Sequence, residues 1–177
     1  MWLLLALCVL SAILGRLCYI VRPFDSDGSM FIYMGRLISE GGRFCHELVD
    51  NKFPSVGLIT SVPWKLFGAN WASYVLLGGA MSIASCVLLT RIAVRHIGEH
   101  ARWPALLFGI VYFNFNFAVF GGFQLETIQS LFTIIAAGAA LEWLRDEDWR
   151  DALLLGLASG CAAMCSTVAT VLKLRRS

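Results

Sequence analysis

Apolar runs about as long as a bilayer is thick recur along this chain, and no other feature limits its fold as strongly. A helix needs about 20 mostly apolar residues to cross the hydrocarbon core. Runs of that order cover 2–21, 71–89, 103–120, 125–144 and 152–172. Of the 177 residues, 58% are hydrophobic and 15% charged, against roughly 45–50% and 25% in soluble domains. A water-soluble fold of this size would expose much of that apolar surface. Disorder is excluded on the same ground, because disordered segments are poor in hydrophobes. The sequence predicts an all-α, polytopic transmembrane helix bundle of about five spans in one membrane domain.

The first run contains Arg16 but lacks a basic start, and its apolar character continues to Val21. It reads as a retained span rather than a cleaved signal peptide. Basic residues in short connections mark the cytoplasmic side. Arg91, Arg95 and Arg102 crowd together beside His96 and His100, whereas 121–124 has neither Lys nor Arg. Arg145 and Arg150 mark the next inner turn. Alternation then sets 22–70 outside a cell membrane, inner or plasma. Lys173, Arg175 and Arg176 would also end outside after five crossings, against the rule. Either the fifth helix does not cross alone, or the chain lacks what normally follows it. A net charge of +2 with scattered basic residues gives no reason to expect a nucleic-acid partner.

Five of the six cysteines lie in apolar runs and none forms a C-x-x-C pair, so they read as packed small residues rather than zinc ligands or a disulfide frame. Gly156 and Gly160, four apart in the fifth run, have the spacing that favours close helix packing. Asn114 and Asn116 in the third run suit hydrogen bonds between helices.

The polar stretch 22–54 carries most of the chemistry. After Asp27, Gly28 and Ser29, the residues Met30, Phe31, Met34, Leu37 and Ile38 recur at helical spacing. Asp27 is placed to cap that helix, and Gly41 with Gly42 to end it. The pattern predicts a helix lying in the membrane surface, apolar face down. A second short amphipathic stretch spans 54–67, with Pro54 and Pro63 limiting its regularity. The two would form a platform above the bundle, joined by the polar link 43–53. Taken alone, these residues leave their roles open. Asp25 and Asp27 either solvate and cap or do chemistry, and Lys52 either anchors at the interface or binds an anion. Glu126 either favours the helix dipole or works in a site, since ionisable groups in apolar runs are usually functional or paired. The Asp25-x-Asp27 spacing is also that of metal–nucleotide sites in soluble sugar transferases, but nucleotide sugars are cytoplasmic and this loop faces outward.

The run 25–42, with Asp25, Asp27, Phe31, Tyr33, Gly35, Arg36, Ile38, Gly41 and Gly42, resembles the first outer loop of membrane glycosyltransferases of the dolichyl-phosphate-mannose–protein mannosyltransferase type. That superfamily, with the GT-C fold, includes the bacterial aminoarabinose lipid A transferases and the rhizobial lipopolysaccharide-core transferases. Asp50, Asn51, Lys52, Phe53 and Pro54 resemble its Asp-x-Lys-Pro-Pro signature with Phe53 in place of the first proline, and Leu66, Phe67 and Gly68 match the Leu-Phe-Gly before its second span. The resemblance covers about 1–165 but only the N-terminal part of a typical member, so it implies a truncated transferase, weak or inactive by itself. It implies a polyprenyl-phosphate-linked sugar as donor, membrane lipids as surroundings, and an extracytoplasmic lipid, glycan or protein as acceptor. Asp27 would be the general base, with Asp25 as the alternative, and Lys52 would hold the lipid phosphate. Glu126 would be the second acidic group, with Arg43 and Asp50 as orienting or phosphate-binding groups. No cofactor is required, and a divalent ion among Asp25, Asp27 and Glu126 is left open. The alternative from another class is a small non-catalytic multipass protein or remnant subunit. A transporter half would want broken helices and midplane charges, of which the runs show little.

Overall fold

The computed structural model describes residues 10, 13–14, 26–42, 55–68, 70–120 and 125–165; at 26, 27, 55, 71, 113–120 and 125 the backbone alone is described. From residue 26 on, the described residues form, in order, the helices α1 (Ser26–Ser39), α2 (Ser55–Phe67), α3 (Trp71–Ile97), α4 (Arg102–Phe120), α5 (Leu125–Asp146) and α6 (Trp149–Met164). A single 3-10 turn, Glu99–Ala101, links α3 to α4, and no strand occurs among the described residues. The all-helical architecture is therefore as the periodicity requires. Among the described residues, two stretches, Ala72–Ile97 and Glu126–Asp146, are long and apolar enough to cross a membrane. The 16 residues of α6 fall short of the about 20 a crossing needs, and the rest of that run lies outside the described residues. Of the first run only Leu10, Ile13 and Leu14 are described, helical and exposed.

Each helix starts and stops for a local reason. Gly41 has φ 91° and ends α1: its N–H donates to the Ile38 carbonyl at 3.2 Å, and the Gly42 N–H to the Leu37 carbonyl at 2.8 Å. These two bonds are a Schellman stop. Pro63 lies inside α2 and does not end it, although a proline there loses a backbone bond. Asn70 caps α3 by accepting the Ala72 N–H at 3.0 Å. The helix then runs past the expected end at 89, through Arg91 and Arg95, to Ile97. Arginine is a good helix former and a cation suits a helix C-terminus, so the basic segment prolongs α3 until Gly98, at φ 120°, stops it. Asp148 accepts the Arg150 N–H at 3.0 Å, which starts α6 at Trp149, three residues ahead of the apolar run.

α1 packs on α2, α5 on α6, and α3 against both α4 and α5. The apolar face of α1 is not left bare for lipid as expected: Phe31 and Met34 are fully buried, with α2 as the main neighbour of their helix. A Cβ on Gly35 would stand 2.5 Å from the Thr60 carbonyl carbon, and one on Gly57 2.5 Å from Ile38 Cδ1. At Gly35, which faces main chain, the pair therefore crosses at a distance only glycine allows. Thr60 Oγ1 lies 2.8 Å from the Phe31 carbonyl oxygen of α1 and 2.8 Å from the Val56 carbonyl oxygen of its own helix. The Tyr74 hydroxyl of α3 donates to the Thr60 carbonyl at 3.0 Å. Three helices thus meet at one threonine.

Around this junction Phe31, Met34, Val56, Tyr74, Val75, Ile128 and Cys165 form one buried apolar cluster. At the other end of α3 the joint to α5 is ionic. Glu142 pairs with Arg95, and His96 Nε2 comes within 3.2 Å of the same carboxylate oxygen.

Candidate functional site

Of the six residues singled out from the sequence, Glu126 is the one whose side chain is described. Asp25, Arg43, Asp50 and Lys52 lie outside the described residues. Asp27 is described by its backbone, as the second residue of α1 rather than its cap. In that first turn an acidic side chain still favours the helix dipole. The convergence of these groups with Glu126 therefore lies outside what the side chains describe.

Glu126 stands in the first turn of α5, and its side chain is exposed. Two residues on, Ile128 is fully buried in the cluster that also holds Phe31 of α1 and Tyr74 of α3. Ile128 therefore anchors the N-terminal turn of α5, leaving Glu126 free to face outward. Phe31 lies four residues, about one helical turn, after Asp27. The same cluster thus takes in a side chain one turn into α1 and another in the first turn of α5.

Glu126 opens onto a groove of about 420 Å³ between α3, α4 and α5. Leu89, Phe108 and Tyr112 form one side of it, and Glu126, Gln129, Ser130 and Thr133 lie along the other. The Phe108 and Tyr112 rings are stacked, with centroids 5.7 Å apart and planes 16° from parallel. Thr133 Oγ1 donates to the Gln129 carbonyl at 2.8 Å. Sequence reasoning singled out Glu126 and missed its three polar companions. The signal was present: positions 126, 129, 130 and 133 share one helical face, which a sum of hydropathy over the run hides.

What this arrangement can do follows from its groups. Glu126 is the one carboxylate on the described walls, able to accept a hydrogen bond or a proton. Amide and hydroxyl groups below it can donate and accept. Among the described residues no three His, Cys, Asp or Glu side chains gather as a metal site would require. No protein-family model, curated protein or solved structure matches this chain.

Proposed function

We propose that the chain is a multi-pass membrane glycosyltransferase that moves a sugar from a polyprenyl-phosphate donor to an extracytoplasmic acceptor. In this reading the first apolar run, α3, α4, α5 and the run containing α6 make the five crossings. The basic residues near Arg95 and Arg145 face the cytoplasm, and α1 and α2 lie at the outer mouth. An acceptor hydroxyl attacks the anomeric carbon of the sugar while the bond from that carbon to the phosphate oxygen breaks. Asp27, or Asp25 in its place, takes the hydroxyl proton, and the Lys52 ammonium offsets the charge left on the phosphate.

One observation carries this reading. Phe31, one turn after Asp27, and Ile128, two residues after Glu126, belong to a single buried cluster, which supports a common site for the N-terminal parts of α1 and α5. The opposite ends of α3 and α5 carry the Arg95–Glu142 pair, in keeping with a cytoplasmic side rich in Arg.

The test is donor recognition by the whole chain in lipid vesicles. A photoreactive polyprenyl phosphate should label the protein, and unlabelled polyprenyl phosphate should compete while the corresponding alcohol does not. Lys52→Ala should weaken that competition about tenfold without loss of insertion. Equal competition by the alcohol, or an unchanged Lys52→Ala protein, would count against the proposal.

A further inference from the structure

Polar groups without partners on a helix suited to hydrocarbon need an occupant that can satisfy them. The α5 groove has two uncharged ones beside the Glu126 carboxylate. Elsewhere in the long helices the hydroxyls of Ser82, Ser85 and Thr90 donate to carbonyls one turn back, as Thr133 does in the groove itself. Among the described residues the Ser130 hydroxyl and the Gln129 amide make no such bond. Both line the groove beside Glu126.

The opposite wall has a different character. Phe108 and Tyr112 present stacked rings, and Leu89 and Ile134 continue the apolar lining. A groove of about 420 Å³ lies within the range of about 300–1,000 Å³ typical of small-ligand sites. Its described walls bear one carboxylate and no cation, so a phosphate headgroup would be repelled. A sugar ring suits both walls at once. Its hydroxyls donate and accept as Glu126, Gln129 and Ser130 require, and its C–H faces rest against aromatic rings. The apolar lining suits the start of an attached lipid chain.

We infer that this groove docks the sugar headgroup of an uncharged glycolipid, which enters sideways between α4 and α5 and keeps its acyl chains in the bilayer. The inference rests on the membrane glycosyltransferase reading and deepens it: the groove takes the uncharged, hydroxyl-bearing partner, and the donor phosphate is held apart from it.

The experiment uses the full chain in phosphatidylcholine nanodiscs with monoglucosyl diacylglycerol carrying a photoreactive acyl chain. Labelling should saturate, map to peptides of α4 and α5, and fall at least tenfold in a Gln129→Leu, Ser130→Ala double variant. Should that variant lose its helical signal, Ser130→Ala alone should reduce labelling about threefold. Undiminished labelling in the folded variants would overturn the inference, as would equal competition by free glucose, phosphatidic acid or phosphatidylethanolamine. Polyprenyl-phosphate labelling that depends on Lys52 is a separate readout. Its failure with groove labelling intact sinks the transfer reading and upholds the glycolipid site; the reverse result sinks the site alone.

Discussion

The α1–α2 pair and the α5–α6 pair are each consecutive helices packed on one another, yet they are held by different means. In the first, glycine faces backbone: a Cβ on Gly35 would meet Thr60 main-chain atoms at 2.5 and 2.6 Å, and the Thr60 hydroxyl reaches across to the Phe31 carbonyl at 2.8 Å. In the second, the glycines face away. Nothing among the described residues lies within 4 Å of a Cβ built on Gly156 or Gly160, whereas Ala158 is buried. A Gly-x-x-x-Gly spacing is therefore not what brings α6 to its neighbour. Close approach arises where a single glycine meets a main chain, as Gly35 does. Where a glycine meets a side chain, as Gly138 meets Ile92 at 2.8 Å, the neighbour has room to turn.

That contrast is broken most sharply at Gly35. Gly35→Ala has no flexible side chain to push aside, so α1 must move off α2. Overpacking of this kind costs about 1–3 kcal/mol, and the upper part of that range is expected here, read as a fall in unfolding free energy in mild detergent. A loss under about 0.5 kcal/mol would mean that the two helices do not cross so closely. The hydroxyl at the same junction is worth less. Thr60→Val keeps the shape and removes the bond to Phe31, for an expected loss of about 1 kcal/mol. An unchanged stability would show that the Val56 carbonyl already satisfies the hydroxyl within α2.

Much of this was legible in residue order, for reasons that separate local from tertiary causes. The extent of α1 follows from apolar spacing and the Gly41–Gly42 stop, both properties of neighbouring residues. The apolar run 71–89 is shorter than α3, which continues to Ile97, because hydropathy falls at Arg91 and Arg95 while helix propensity does not. Pro63 limits regularity by the loss of a backbone bond, yet α2 runs unbroken from Ser55 to Phe67. The burial of the α1 face was unreadable, since the partner of Gly35 lies 25 positions away at Thr60. In the candidate site, Glu126 stood out by its charge. Gln129, Ser130 and Thr133 did not, because each is ordinary alone and only their shared helical face makes a polar wall.

The smallest expected effect lies at Gly156 and has the opposite sign to that at Gly35. With open space around it, an alanine there meets no neighbour and relieves the entropic cost of glycine inside a helix, worth roughly 0.5–1 kcal/mol. Gly156→Ala should therefore leave stability unchanged or raise it slightly in the same detergent assay. A loss of 1 kcal/mol or more would mean that another helix covers this face. The two pairs would then be held alike, and the distinction between glycine facing a main chain and glycine facing outward would fail where it is easiest to measure.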